Sequence, residues 1–254
     1  MTKTGTKEWS TKSVNIFKGC RNNCLYCYAR ANALRFKQII SPEEWTKMTP
    51  YKQEKPRKIE GRVMYPSSHD IFPEHIEKTI AVLKAWLAEE NDILIVSKPR
   101  FEVIERLCKE LTEYKEHIVF RFTIGSMNDG ILKFWEPDAP DFEERMKCLR
   151  HAFEYGYQTS VSCEPFFDNT IFLMIEAFMP YVTDTIWIGK LNGIKQRVNT
   201  KGWSDEDLKM IMFVEKIHSD EMIKSLYEHF KTNPKIRWKD SIKKVVGLPE
   251  EEIG

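Results

Sequence analysis

The sequence has no run of about 18 apolar residues, so no membrane-spanning helix is expected. It opens MTKTGTKEWSTK, without the apolar core of a secretory leader, and a cytoplasmic protein is the expectation. It lacks an excess of either charge. Lys+Arg 39 against Asp+Glu 38 gives +1, which rules out a strongly basic nucleic-acid coat but not a local basic patch. There is no internal repeat, no low-complexity tract and no linker that would divide the chain into independent domains. Six cysteines in 254 residues, three of them crowded into eight positions, do not form a secreted disulfide framework. With 42% hydrophobic and 30% charged residues, the chain has the balance of a folded globular protein.

What is present is alternation. Strand-like runs at Ser13–Phe17, Gly61–Tyr65, Asp92–Ser97, His117–Ile124, Tyr157–Cys163 and Thr183–Ile188 are each followed by helix-like runs. The helices are expected at about Tyr28–Ile39, Pro73–Glu90, Arg100–Tyr114, Asp141–Tyr155, Asn169–Met179 and Ser204–Phe230. Six βα units in series predict a parallel sheet with helices outside it, curled by right-handed crossovers into a partial (β/α)6 barrel. Six falls short of the closed eight-stranded form and leaves a wide mouth. Chemistry is then expected on the loops that follow the carboxyl ends of the strands. Ser41–Glu60 is a polar excursion, with Lys52, Lys55, Arg57 and Lys58. Residues 1–230 read as the core domain and 231–254 as a C-terminal extension with a short cap at Lys239–Val246.

The sharpest local feature is Gly19-Cys20-Arg21-Asn22-Asn23-Cys24-Leu25-Tyr26-Cys27-Tyr28, a CxxxCxxC spacing on the loop after the first strand. Three thiolates there could wrap one face of a 4Fe–4S cluster and leave one iron open. Structural zinc is a rival reading, although such sites normally close with four ligands and no His or Cys follows nearby. A plain loop of reduced thiols is another.

The cysteine spacing, the aromatic before the third cysteine and the six-unit βα chain resemble the radical S-adenosylmethionine superfamily, over about residues 12–190. Within it the chain looks most like the spore photoproduct lyase-like branch. Tyr26-Cys27-Tyr28, Val96-Ser97-Lys98 and Glu136-Pro137-Asp138-Ala139-Pro140 followed by Arg145 carry that likeness. The resemblance implies a 4Fe–4S cluster on Cys20, Cys24 and Cys27, with S-adenosyl-L-methionine chelating the open iron. One electron, from a donor such as flavodoxin or ferredoxin, would break the sulfur–C5′ bond. The 5′-deoxyadenosyl radical so released would take a hydrogen atom from substrate.

The strand ends supply the other candidates. Lys98 is expected to pair with the cofactor carboxylate. Tyr28, Ser67, Thr123 and Glu164 are expected cofactor contacts, with Cys163 and His69 nearest the substrate. Asp70 could instead cap the next helix. Ser126, Asn128, Asp129 and Trp135 line the next loop, while Cys108 and Cys148 fall on helices as packing. The branch places a hydrogen-donating cysteine where this chain has Ser67, whose O–H bond is too strong to replace it. That departure argues against direct thymine-dimer repair. Lys190–Lys201 holds Lys190, Lys195, Arg197 and Lys201 with no acid. With Trp203 beside it, this segment could grip a phosphate backbone and stack a base, or simply stay wet. Repair or modification of a nucleic-acid base is thus the enzyme reading nearest the resemblance. Modification of a peptide or small metabolite is the alternative, and a zinc-stabilised nucleic-acid-binding module stands outside enzymes.

Overall fold

A computed structural model describes residues 5–249. In chain order the strands are β1 Lys12–Ser13, β2 Phe17–Lys18, β3 Thr49–Pro50, β4 Arg62–Tyr65, β5 Asp92–Ser97, β6 Ile118–Thr123, β7 Gln158–Cys163, β8 Ile186–Ile188 and β9 Ile236–Trp238. The helices are α1 Tyr28–Arg35, α2 Ile76–Leu87, α3 Phe101–Glu110, α4 Asp129–Trp135, α5 Phe142–Glu154, α6 Ile171–Phe178, α7 Ile194–Arg197, α8 Asp205–Ile217, α9 Asp220–Phe230 and α10 Asp240–Val246. Seven strands form one sheet in the order β1-β4-β5-β6-β7-β8-β9, every neighbouring pair parallel. Sequential order with helical crossovers curls the sheet into an α/β half-barrel of the partial TIM type. Among the described residues no helix is long and apolar enough to cross a membrane.

Strand parity decides what each residue can do. Along β6, Ile118, Phe120 and Phe122 face the helices, and along β7 Val161 and Cys163 do the same. Every such side chain is buried, each worth about 1.5–3 kcal/mol for an Ile or Phe. The alternate residues point into the barrel. There Arg121 Nε donates to Ser160 Oγ at 2.9 Å, and Lys239, just past β9, lies 3.4 Å from Glu164.

Several features differ from the sequence expectation, and α4 and α7 stand where loops are expected. The sheet has a seventh strand, β9, whose three residues Ile236-Arg237-Trp238 are too few to stand out, with α10 behind it close to the expected cap; residues 250–254 of the expected extension lie outside the described residues. The expected first strand, Ser13–Phe17, leaves the sheet after Ser13. Val14 N–H still donates to the Met64 carbonyl at 2.9 Å, but Ile16 and Phe17 N–H donate to His69 Nε2 at 3.2 and 3.4 Å, and the Asn15 side-chain Oδ1 accepts from Ser67 and Ser68 N–H. The last long helix breaks in two, because buried His218 ends α8 and Ser219 caps α9.

Candidate active site

The cysteine loop joins β2 to α1 and is held from several sides. Gly19 sits at φ +100°, and a Cβ there would meet the Trp45 carbonyl oxygen at 2.6 Å, so only glycine fits. Cys20 N–H donates to that same carbonyl at 2.8 Å. Cys27 caps α1, its Sγ accepting from Arg30 N–H at 3.4 Å. The Arg30 guanidinium reaches back to Asn23 Oδ1 and the Leu25 carbonyl. Asn22 is fully buried: its Nδ2 donates to Asp70 Oδ2 at 2.7 Å, and its Oδ1 accepts from Arg100 at 2.7 Å. Asp70 also accepts from Ser97 Oγ and Lys98 N–H, so it ties the cysteine loop to the end of β5 rather than capping a helix.

A second buried web runs beside the thiols. Tyr26 Oη donates to Glu136 Oε1, and Arg145 Nη2 donates to Glu136 Oε2 at 2.6 Å. Arg145 also donates to the carbonyls of Thr123 and Pro140. Lys98 Nζ lies 3.7 Å from Glu136 Oε1 and 5.7 Å from the centre of the Tyr26 ring. Burial works against the Lys98 ammonium, yet Cys24, Tyr26, Glu136 and Asp70 together hold its pKa well above the ordinary range. Burial pushes the Cys20 thiol up to about 12, with Asp70 and Cys27 adding to it. It pushes Cys24 well up too, against the pull of Lys98.

These thiols suit an iron–sulfur centre. Three thiols on one short loop, two of them reluctant to ionise, become stable thiolates only when a cationic centre compensates their charge. A cubane spreads three thiolates over three irons. Among the described residues no three His, Cys, Asp or Glu side chains, the loop cysteines included, gather closely enough to hold a single metal ion.

The strand-end residues divide by face. Lys98, Thr123 and Glu164 continue the inward rows of β5, β6 and β7 at their carboxyl ends. Burial raises the Glu164 carboxyl, partly opposed by Lys239. Gly189 permits that pairing, because a Cβ there would lie 2.9 Å from both Glu164 Cγ and Lys239 Cγ. Tyr28 Oη donates to the Ser67 carbonyl, and both residues line a cleft of about 320 Å³ between α1, β2 and the Ser67–Ser68 turn.

Two expected residues are not brought to the site. Cys163 faces the helices inside the apolar core, fully buried, where burial alone raises its thiol. A strand residue adjacent to inward Glu164 must face outward. His69 is committed to backbone: besides the N–H groups of Ile16 and Phe17, its Nδ1 meets the Asp70 carbonyl at 2.8 Å. Burial lowers its pKa to about 4, so it is neutral and structural. The Ser126–Asp129 candidates also serve the fold. Ser126 bonds Asp168, Asn128 caps α4, and Asp129 accepts from Phe142 N–H. Trp135 is buried and stacked on Phe167, and Trp203 packs edge-on against Phe134. Asn22 and Asn15 had no motif to mark them. The Glu136 and Arg145 positions were visible as a motif, but not as a buried ion pair.

Residues 14–172 match the Radical SAM superfamily, and the chain belongs to that family. A curated relative, an uncharacterized protein ORF301 of Acidianus two-tailed virus, is 25% identical over 173 residues. The match takes in 61% of this chain and 56% of that protein, so the chain spans just over half the relative's length. Among solved structures the chain is similar to spore photoproduct lyase complexed with dinucleoside spore photoproduct, at 13% identity and a TM-score of 0.52. That likeness covers 94% of this chain and 78% of the other. A variant of that enzyme with bound AdoMet and dinucleoside spore photoproduct gives 14% identity and a TM-score of 0.53, covering 89% of this chain and 75% of the other. At such identities the likeness is one of fold.

Proposed function

We propose that this chain holds a 4Fe–4S cluster on Cys20, Cys24 and Cys27 and, with S-adenosyl-L-methionine, removes a hydrogen atom from a nucleic-acid base, in base repair or modification. The observation that carries the reading is the clamped loop of three thiols, with the half-buried Lys98 ammonium 3.7 Å from Glu136, which Tyr26 of that loop also holds. When bound, the cluster and S-adenosyl-L-methionine would supply a 5′-deoxyadenosyl radical, given one electron from a donor such as flavodoxin or ferredoxin.

The chain's own groups have separate tasks. Lys98 keeps a spare donor for a carboxylate, because its contact with Glu136 is loose while Arg145 grips Glu136 closely. Thr123 and Glu164 point inward to meet hydroxyls. Tyr28 and Ser67 wall the cleft beside the cysteine loop. Cys108, Cys148 and Cys163 all belong to the helix-side core, so among the described residues no thiol beyond the loop's own three reaches the mouth. Together with Ser67 this favours base modification over a thiol-assisted, lyase-like dimer repair.

Protein prepared without oxygen should carry about four iron and four sulfide per chain. Dithionite and S-adenosyl-L-methionine should then release 5′-deoxyadenosine, and Cys24→Ala should abolish that release. Release at the wild-type rate from the variant, or colourless protein with one zinc, would overturn the reading.

A further inference from the structure

The segment Lys190–Lys201, which follows β8 and contains α7, is not a free loop. Leu191 and Val198 are buried against Cys24, Tyr26, Trp135 and Phe167. Its backbone is pinned as well: Leu191 N–H donates to His218 Nδ1 at 3.3 Å, and Lys190 N–H donates to Ser241 Oγ at 3.1 Å. α7 reaches across to contact α1, so the segment spans the barrel mouth from the β8 side to the helix that follows the cysteine loop.

Its charge is unspent. Lys195 and Lys201 are exposed and Arg197 is half-buried. Among the described residues none of these three side chains, nor that of Lys190, forms an ion pair or a hydrogen bond. By contrast Arg30, Arg100, Arg121 and Arg145 are all bonded within the fold. Of the acids that follow, Asp207 closes the cap of α8 and Glu206 pairs with Lys209 at 2.6 Å, while Asp205 stands exposed in the first turn of α8. α7, which carries Lys195 and Arg197, packs against α1, whose Tyr28 lines the cleft with Ser67. A solvated loop has no need of apolar anchors beneath its cations. A fixed row of uncompensated cations over a mouth is suited to a ligand with repeating negative charge.

We propose that Lys195, Arg197 and Lys201 form a lid that grips the phosphodiester backbone of a nucleic acid beside the base presented to the mouth. This rests on the nucleic-acid reading above and adds the element that holds the substrate. Trp203, at the end of the segment, packs edge-on against Phe134.

The test uses the full chain with its cluster and a fluorescent single-stranded 12-mer DNA, with affinity measured by anisotropy across a salt series. The triple variant Lys195→Gln, Arg197→Gln, Lys201→Gln is compared with Lys109→Gln, Lys224→Gln, Lys231→Gln, which removes the same charge from exposed positions on α3, α9 and the end of α9. Three lost phosphate contacts should flatten the slope of log K against log salt by roughly 2 and weaken binding at least about tenfold near 0.1 M salt. The second triple variant should bind as the wild type does. Equal losses in both variants, or none in the first, would overturn the lid. No binding by the wild type would instead remove the nucleic-acid reading itself, while iron content and thermal midpoint report whether each variant is folded.

Discussion

Lys239 Nζ lies 2.8 Å from Glu8 Oε1, joining two residues at opposite ends of the chain across the open side of the half-barrel. β1 and β9 are the unpaired edges of the curled sheet. The 3-10 turn Gly5–Glu8 leads into β1, and Lys239 follows β9, so the pair ties edge to edge. Lys239 Nζ also donates to the Gly5 carbonyl at 2.7 Å and lies 4.4 Å from the centre of the Trp9 ring. Trp9 in turn meets Trp187 edge-on and takes the Arg121 guanidinium on its face at 4.9 Å. Residues from both edges thus meet inward side chains of β6 and β8.

Lys239→Met should be strongly destabilising, because it leaves buried Glu8 and half-buried Glu164 without their cation. Removing one partner of a buried pair costs about 3–5 kcal/mol. In a chain of this size that lowers the thermal midpoint by roughly 6–20 °C. A drop of under about 2 °C in a melting experiment would show that the tie carries no such weight.

Acid should unfold the protein through its buried histidines. His218 accepts from Leu191 N–H on Nδ1 and meets the Phe166 carbonyl with Nε2 at 2.9 Å, and burial lowers its pKa to about 4, as for His69. Both folded values lie below the ordinary 6.5. The neutral form is therefore what the fold holds, and its stability is complete above about pH 6.5. It is lost as pH falls from 6.5 toward 4, with a limiting slope of about 1.4 kcal/mol per pH unit for each histidine. Denaturant titrations of the wild type and of His218→Gln isolate one such group, since all others are common to both. The variant should be less stable at pH 7.5 and lose less between pH 6.5 and 4.5. Parallel pH curves would disprove the assignment.

Cys163→Ala should leave the release of 5′-deoxyadenosine within about twofold of wild type, and lower stability by about 1 kcal/mol for the small volume removed from the core. Loss of product formation with stability intact would restore the thiol to the chemistry, despite its outward face.

The βα alternation and the cysteine spacing were legible because both are local: periodicity fixes the elements, and three cysteines on one loop need no distant partner. The strand-end rule then brought out Lys98, Thr123 and Glu164. It brought out Cys163 equally well, because Thr159–Cys163 is buried on both faces and its composition does not say which face is inward. His69 resembled a site residue by position, and only the fold reveals the two backbone N–H groups it must satisfy where β1 leaves the sheet.

The sequence by itself determined the family, the cysteine spacing and the succession of strands and helices. Tertiary structure alone decided the inward face of each strand, the seventh strand, the Glu136–Arg145 pair beside the thiols and the closure of the barrel by Glu8 and Lys239. The reason is physical. Local patterns set backbone geometry within a few residues, whereas the pairing of buried charges depends on which distant segments the curled sheet brings within a few ångströms of each other.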